Sequence, residues 1–545
     1  MPTDPRKGAS ALQGGSAETQ PATEAMGPEV RRQFVRGSLI LFLGNFLATA
    51  NNAVAVILIA RMLGPNLYGL YTLALVLPGL FQLFIGLGVN SAVVRYAAFH
   101  ATTGRVDEAK RFTRNATLFL ALSGLALSAL NYVVAGTLSA DYLHRPDLTV
   151  YVQEASLAIL GAAVLQAATS VAIGWNRMGL ASLAQVVQSV VKLLLTPFLI
   201  LEGLGVLGAI VGQVTSVLLA GVLVVTMLHM AGFTRPRGGP RAFASDVREM
   251  LRFGLPIFAG TLASGLAIYY TTLILAAIAT NEVVGFYQAA VNFTTIITLV
   301  SVATAGALFP AFASLDGSRG SSAPALKYAV KFGAFFIAPA TFLLILTSGL
   351  LVRVFYGAEF VPSVPYLQLM AAAYLPVVFG CVVFPVFFNG FGRPRLSLLT
   401  YLTGAGAVLV LAPIFAVYLR LGADGLIYSL GASYVVSAVA GGLLAKRHMG
   451  AEQDVRSTVA ILLSSVVSYI GGSLVLGLRV WTPLSLVLSL VVFSGLYLTL
   501  APLTRGINES DLSVLESSLA EAKVLGMVVG KISRYARFVI AMSKR

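Results

Sequence analysis

Fourteen uninterrupted apolar runs set the tightest limit on what this chain can become. They span residues 38–60, 67–88, 116–135, 157–173, 180–201, 207–230, 254–277, 284–309, 332–351, 367–388, 396–418, 426–444, 458–478 and 484–503. Each is close to the ~20 residues a helix needs to cross a hydrocarbon core of about 30 Å. Backbone in lipid must satisfy its own hydrogen bonds, so runs of this kind fold as helices. The expected class is an all-α polytopic membrane protein with about 14 transmembrane helices. Composition excludes the main alternatives. With 57% hydrophobic and 11% charged residues the chain is neither an ordinary soluble domain nor a disordered polymer. One cysteine, Cys381, leaves no disulfide framework and no cysteine metal site.

The net charge of +15 would suggest nucleic acid in a soluble protein. Here it reports topology, and no nucleic-acid partner is expected. With the N-terminus placed in the cytoplasm, 31 of the 37 Lys and Arg residues fall in inside segments. Only Arg61, Arg145, Arg353, Arg420 and Arg479 lie outside, and Lys192 lies within a span. The bias predicts an even number of spans with both termini cytoplasmic, and the expected location is the cell (plasma or inner) membrane.

The chain also repeats. Arg36-Gly-Ser-Leu is echoed by Arg252-Phe-Gly-Leu, Gly69-Leu-Tyr71 by Gly285-Phe-Tyr287, and Gly174-Trp-Asn-Arg177 by Gly390-Phe-Gly-Arg393. Pro197 is echoed by Pro413, and these four pairs are all 216 residues apart. Gly205-Val-Leu-Gly208 and Gly422-Ala-Asp-Gly425 follow at 217. A repeat of six spans keeps its orientation, so two six-helix bundles should be related by a pseudo-two-fold axis along the membrane normal, with a site between them. The expected organisation is a disordered tail (1–35), an N-lobe (36–233), a linker (234–251), a C-lobe (252–449), two extra helices (450–506) and a cytoplasmic amphipathic helix or tail (507–545). Ser513 with Glu516 fits a capping box at its start. Lys531, Arg534, Arg537, Lys544 and Arg545 would then meet anionic membrane lipids.

Within this frame Lys192 is the one charged side chain deep in a span. Gln185, Gln188, Lys192 and Thr196 are spaced to share one helix face. A lysine at mid-bilayer costs roughly 2.5 kcal/mol or more, and such residues face a cavity or a bundle interior. The alternative is a lysine snorkelling to the interface. Other polar stripes are Asn45, Thr49 and Asn52 on the first span, and Gln288, Asn292 and Thr295 on the eighth, with Tyr269 and Tyr270 on the seventh. They could line a cavity or join helices as hydrogen-bonding glue. Neutral stripes with one cation and no acid suit a neutral glycan attached to an anion, with lysine as a point charge for phosphate. Gly203-Leu-Gly-Val-Leu-Gly208 matches a dinucleotide fingerprint but lies between two spans, so it carries no such meaning. Gly208 and Gly212 fit a close helix contact instead. No catalytic residue, metal or cofactor is expected.

The turn after the first span, Arg61-Met-Leu-Gly64-Pro65-Asn-Leu-Tyr68-Gly69-Leu-Tyr71, resembles the polysaccharide (O-antigen type) flippases of the multidrug/oligosaccharidyl-lipid/polysaccharide (MOP) superfamily. So do Gly86-Leu-Gly-Val-Asn-Ser-Ala-Val-Val-Arg95-Tyr, Leu251-Arg-Phe-Gly-Leu-Pro256, Val284-Gly-Phe-Tyr-Gln-Ala289 and Phe355-Tyr-Gly357-Ala-Glu-Phe360. The resemblance covers roughly residues 33–450. It implies two lobes around a cavity open to one side at a time. It also implies a polyisoprenyl (pyro)phosphate-linked oligosaccharide as cargo, with cationic cavity residues meeting its phosphates, and the candidates are Lys192, Arg61 and Arg95. A monomer is expected, with H+ or Na+ as a coupling ion. The competing readings are a lipid II flippase, a cation-coupled multidrug exporter of the same superfamily, and a membrane glycosyltransferase. The exporter lacks an acid on spans one and seven, and the enzyme has only Asp141, His144 and Asp147 on its longest outside loop.

Overall fold

In a computed structural model the chain is described over residues 28–236, 243–313, 319–477, 482–509, 511–513, 516 and 523–543, and helix is the only regular structure among them. Most of the expected 1–35 tail lies outside these residues, as do Lys544, Arg545 and the middle of the Ser513–Glu516 box. The helices of the first part are α1 (Pro28–Ala74), α2 (Val76–Gln82), α3 (Val89–Thr102), α4 (Val106–Thr137), α5 (Leu148–Ala155), α6 (Leu157–Gly174), α7 (Met178–Leu199) and α8 (Gly205–Met230). Then come α9 (Phe243–Ile278), α10 (Asn281–Ala313), α11 (Arg319–Phe355), α12 (Ser363–Ala373), α13 (Val383–Gly390), α14 (Pro394–Pro413) and α15 (Gly422–Met449). The chain closes with α16 (Val455–Leu476), α17 (Thr482–Leu503) and α18 (Lys523–Ser543).

Where the sequence predicts fourteen runs, the described residues hold 11 helical stretches long and apolar enough to cross a membrane. Two are of double length, Leu39–Gln82 with 44 residues and Met178–Met230 with 53. At 1.5 Å per residue these would reach about 66 and 80 Å, far more than one crossing needs. Both are broken by glycines in backbone states open to few other residues. Gly64 (φ 69°, ψ 171°) precedes Pro65 in α1. Gly203 (φ 89°) and Gly205 (φ 51°) separate α7 from α8.

Close contacts fix helix directions. Gly208 faces Leu199 and Gly212 faces Thr196, so α7 and α8 run antiparallel as a hairpin. This is the expected close contact of the Gly208–Gly212 pair. Gly44 meets Ser182 and Asn51 bonds Ser189, both pairs 138 residues apart, so α1 and α7 run parallel.

The internal repeat is written into the backbone. Arg177 (φ −98°, ψ 58°) and Arg393 (φ −114°, ψ 59°) precede α7 and α14 with nearly the same dihedrals. After Pro197 the helix widens into a π turn at Ile200–Leu204, and after Pro413 at Ile414–Tyr418. Gly205 and Gly422 then take φ of 51° and 57°. The missing side chain of Gly208 makes room for Leu199, and that of Gly425 for Phe415, its counterpart 216 residues on. The two copies also touch reciprocally: Gly69 accommodates the Asn281 carbonyl, and Gly285 accommodates the Pro65 carbonyl. Contacts that exchange in this way are what a local two-fold axis produces.

At the end of the bundle bearing the most Lys and Arg, α4 meets the start of α9. Asp246, 3% exposed, accepts from Arg111 Nε at 3.0 Å and Asn115 Nδ2 at 2.7 Å. Arg95 lies over the Phe253 ring at 4.4 Å. On α11, Lys331 pairs with Asp511 at 2.6 Å, both buried. The α18 helix is amphipathic: Ser533, Ala536 and Val539 are buried while Tyr535, Phe538 and Met542 stand exposed.

Candidate functional site: a buried cation on a polar helix face

Helix α7 presents Ser182, Gln188, Ser189, Lys192 and Thr196 to the protein interior. Gln188, Lys192 and Thr196 follow one another at steps of four, Ser189 stands three before Lys192 and Ser182 two turns before Ser189, which places them along one stripe. The helix α1 lies against that stripe. Gly44 is opposite Ser182, where any Cβ would collide with the serine hydroxyl. Higher up, Asn51 Nδ2 donates to Ser189 Oγ at 3.3 Å and Asn52 Nδ2 to Gln188 Oε1 at 3.4 Å. These are long, weak bonds. They align amides beside Lys192 and leave most of their hydrogen-bonding capacity open.

Lys192 is only 9% exposed. Lys192 takes no part in the ion pairs His100–Glu108, Arg105–Glu108, Arg111–Asp246, Lys331–Asp511, Lys446–Glu452 and Arg537–Glu516, and among the described residues it has no acidic partner. A buried ammonium without a counter-charge is costly, by several kcal/mol before relaxation. Burial on an inward face distinguishes it from a lysine reaching for the interface. What the arrangement offers is a fixed positive charge flanked by neutral amides, which would gain most by receiving an anion.

The other expected residues scatter. Gln185 is half-buried on the flank of the α7 stripe. Asn45 is exposed, and its carbonyl accepts the Thr49 hydroxyl at 2.8 Å. Gln288 and Asn292 are joined to each other at 3.2 Å. Asn292 Nδ2 also donates to the Tyr68 and Tyr356 hydroxyls at 2.9 and 3.0 Å. This α10 stripe ties α1, α10 and the turn that follows α11 together. Tyr269 on α9 packs against Gly79 of α2. Arg61 is exposed and reaches the Val354 carbonyl at 3.4 Å. Arg95 is held over Phe253 at the opposite end of the span. Gln188, bonded to Asn52, thus lies one turn before Lys192 on the buried face of α7, while Arg61 and Arg95 lie away from them, one toward each end.

Sequence reasoning missed a second polar feature. Where α2 gives way to α3 the backbone passes through Gly86 (φ 69°), Leu87 (φ 46°) and Gly88 (φ 90°). Beside this break is a cavity of about 210 Å³ lined by Gln82, Asn90, Ser91 and Gln166 together with Ile257 and Phe258 of α9. Gly88 and Gly254 touch backbone to backbone next to it. The Gly86-Leu-Gly segment was the available signal, but Gln166 comes from a distant part of the chain. Among the described residues no group of three His, Cys, Asp or Glu could hold a metal ion.

The family described as "Polysaccharide biosynthesis protein" matches residues 34–316, more than half of the chain. No curated protein matches it in sequence. Among solved structures, the lipid II flippase MurJ in an inward closed conformation is similar, with TM-score 0.68 and 15% identity over 84% of this chain and 98% of that one. An inward-facing MATE-family multidrug resistance transporter of the MOP superfamily gives TM-score 0.62 and 20% identity over 74% of this chain and 94% of that one. A MOP superfamily transporter from Pyrococcus furiosus, described as having a binding pocket of reverse polarity, gives 0.54 and 20% over 77% and 95%. The helices, their breaks and the family match converge: the chain is a multi-pass membrane protein of the polysaccharide biosynthesis family, with the fold of MOP superfamily transporters.

Proposed function

We propose that the protein is an alternating-access flippase that carries a polyisoprenyl-(pyro)phosphate-linked oligosaccharide from the cytoplasmic to the outer leaflet, and that it is not an enzyme. The single observation that carries this reading is Lys192, buried, unpaired among the described residues, and flanked by Gln188 and Asn52. The positive charge meets the phosphate, and the amides meet neutral hydroxyls. A charge-assisted hydrogen bond in such a place contributes about 1.5–3 kcal/mol. An exporter of cations needs the opposite, an acid in the membrane. Residues 37–60 and 254–277 contain neither Asp nor Glu.

The end bearing Arg95, Arg111 and Asp246 is read as cytoplasmic from the charge bias, with both termini there and the protein in the cell membrane. The two copies of the repeat, 36–233 and 252–449, act as lobes that rock about the reciprocal Gly69–Gly285 contact. The exposed Phe538 and Met542 with Lys531 and Arg534 on α18 suit an anionic lipid surface. A coupling ion, H+ or Na+, and a monomeric state complete the reading. It is tested by complementation of glycan export in a strain lacking its own flippase, with protein level checked. Lys192→Ala should lose about tenfold or more of export, and Lys192→Arg should keep a measurable part. Full export in the alanine variant overturns the role.

A further inference from the structure

The cavity beside the α2–α3 break is not part of the Lys192 site, since no residue of α7 lines it. Its polar side chains come from three helices: Gln82 from α2, Asn90 and Ser91 from α3, and Gln166 from α6. Among the described residues, none of these four side chains has a hydrogen-bond partner. Convergent amides and a hydroxyl with unused donors and acceptors are unusual inside a membrane bundle, where such groups ordinarily bond a neighbouring helix. The opposite wall is apolar and aromatic, Ile257 and Phe258 of α9. The volume of about 210 Å³ equals roughly seven waters at ~30 Å³ each, far beyond a dehydrated ion and suited to one sugar ring. No charge lines it, and it offers N–H donors as well as oxygen acceptors, of which a cation would use only the acceptors.

We infer that this cavity is the subsite for the first sugar of the cargo, an inference that rests on the flippase reading above. Depth supports it. Lys192 lies fourteen residues into α7 from Met178, about 21 Å, while Gln166 lies eight residues from the neighbouring end of α6 at Gly174, about 12 Å. The cavity is therefore about 9 Å nearer the cytoplasmic end. A lipid-linked glycan in the cytoplasmic leaflet presents its parts in that order, sugar outermost and phosphate deeper. Because one wall belongs to α9, a bound sugar also bridges the two copies of the repeat, next to their Gly88–Gly254 contact.

The test compares binding of a bare polyprenyl diphosphate with that of polyprenyl diphosphates carrying N-acetylglucosamine, glucose or galactose, using purified full-length protein in detergent and ligand-induced thermal shifts titrated to affinity. Wild type should bind at least one glycosylated lipid about tenfold tighter than the bare one, the equivalent of one or two neutral hydrogen bonds. Gln82→Leu and Gln166→Leu should abolish that gain and leave bare-lipid binding unchanged, which also shows that they fold. Lys192→Ala should weaken both ligands. If wild type gains nothing from any sugar, or if the leucine variants keep the gain, the subsite is wrong and the phosphate role of Lys192 stands. If wild type binds none of the lipids, the flippase reading itself fails.

Discussion

Helices α7 and α14 occupy equivalent places in the repeat and differ in almost everything but backbone. Both start at an arginine of the same conformation, both carry a proline near the end, and both finish in a π turn before a glycine of positive φ. Yet Lys192 corresponds to Val408, Thr196 to Ala412, Gln188 to Gly404 and, on the facing helix, Asn52 to Ile268. Val408 and Ala412 are buried and apolar; Ile268 is exposed. The breaks are needed twice, because each copy must turn and widen its chain in the same way. The polar groups occur once, an asymmetry that the proposed function assigns to contact with an asymmetric cargo rather than to a structural requirement.

The comparison extends to the basic end and can be broken there most forcefully. Asn115 on α4 binds Asp246, and its counterpart Lys331 on α11 binds Asp511. Removing one member of a buried ion pair costs about 3–5 kcal/mol, whereas losing a hydrogen bond to a charged group costs about 1.5–3 kcal/mol. Lys331→Ala should therefore lower the thermal stability of the purified protein more than Asn115→Ala does. The double replacement Lys331→Met with Asp511→Leu should recover most of the loss. Equal effects of the two single variants would mean that the clamps are alike.

Next in size are Gly208→Val and Gly425→Val. A Cβ would stand 2.9 Å from the Leu199 backbone in the first and 2.6 Å from the Phe415 backbone in the second. Each should cost about 3 kcal/mol, read as loss of folded protein on size exclusion. A tolerated valine at one of the two would show that the scaffold is less symmetric than its dihedrals.

Much of the fold was legible because lipid leaves the chain few options. Spans, breaks and repeat all follow from apolar length, Gly–Pro pairs and a constant offset. Lys192 was legible for the same reason, since a charge in a span costs too much to be incidental. The polar stripes were not. Asn292 and Gln288 read equally well as cavity or glue, and only the Tyr68 and Tyr356 hydroxyls decide for glue. The Gln82–Gln166 cavity was invisible because its polar side chains come from three helices, none with a polar stripe of its own, and its apolar wall from a fourth. Asp246 escaped notice because it lies in a connecting segment where acids are ordinary.

Smaller effects separate positioning from contact. Asn51→Leu breaks only the 3.3 Å bond to Ser189 and should cost about 0.5–1.5 kcal/mol, with transport nearly intact. Moving the charge across the repeat, by Lys192→Val with Val408→Lys, should fold but fail to transport, because no amides correspond to Gln188 and Asn52 in the second copy. Transport by that variant would mean that charge alone suffices.

The central claim is that the buried charge of Lys192 receives the phosphate of a lipid-linked glycan, and the most direct measurement is flipping in proteoliposomes. A fluorescent polyprenyl-diphosphate oligosaccharide, scored by protection from a membrane-impermeant quencher, should cross with wild-type protein, cross slowly with Lys192→Arg, and not cross with Lys192→Ala. Equal rates for wild type and Lys192→Ala would contradict the claim.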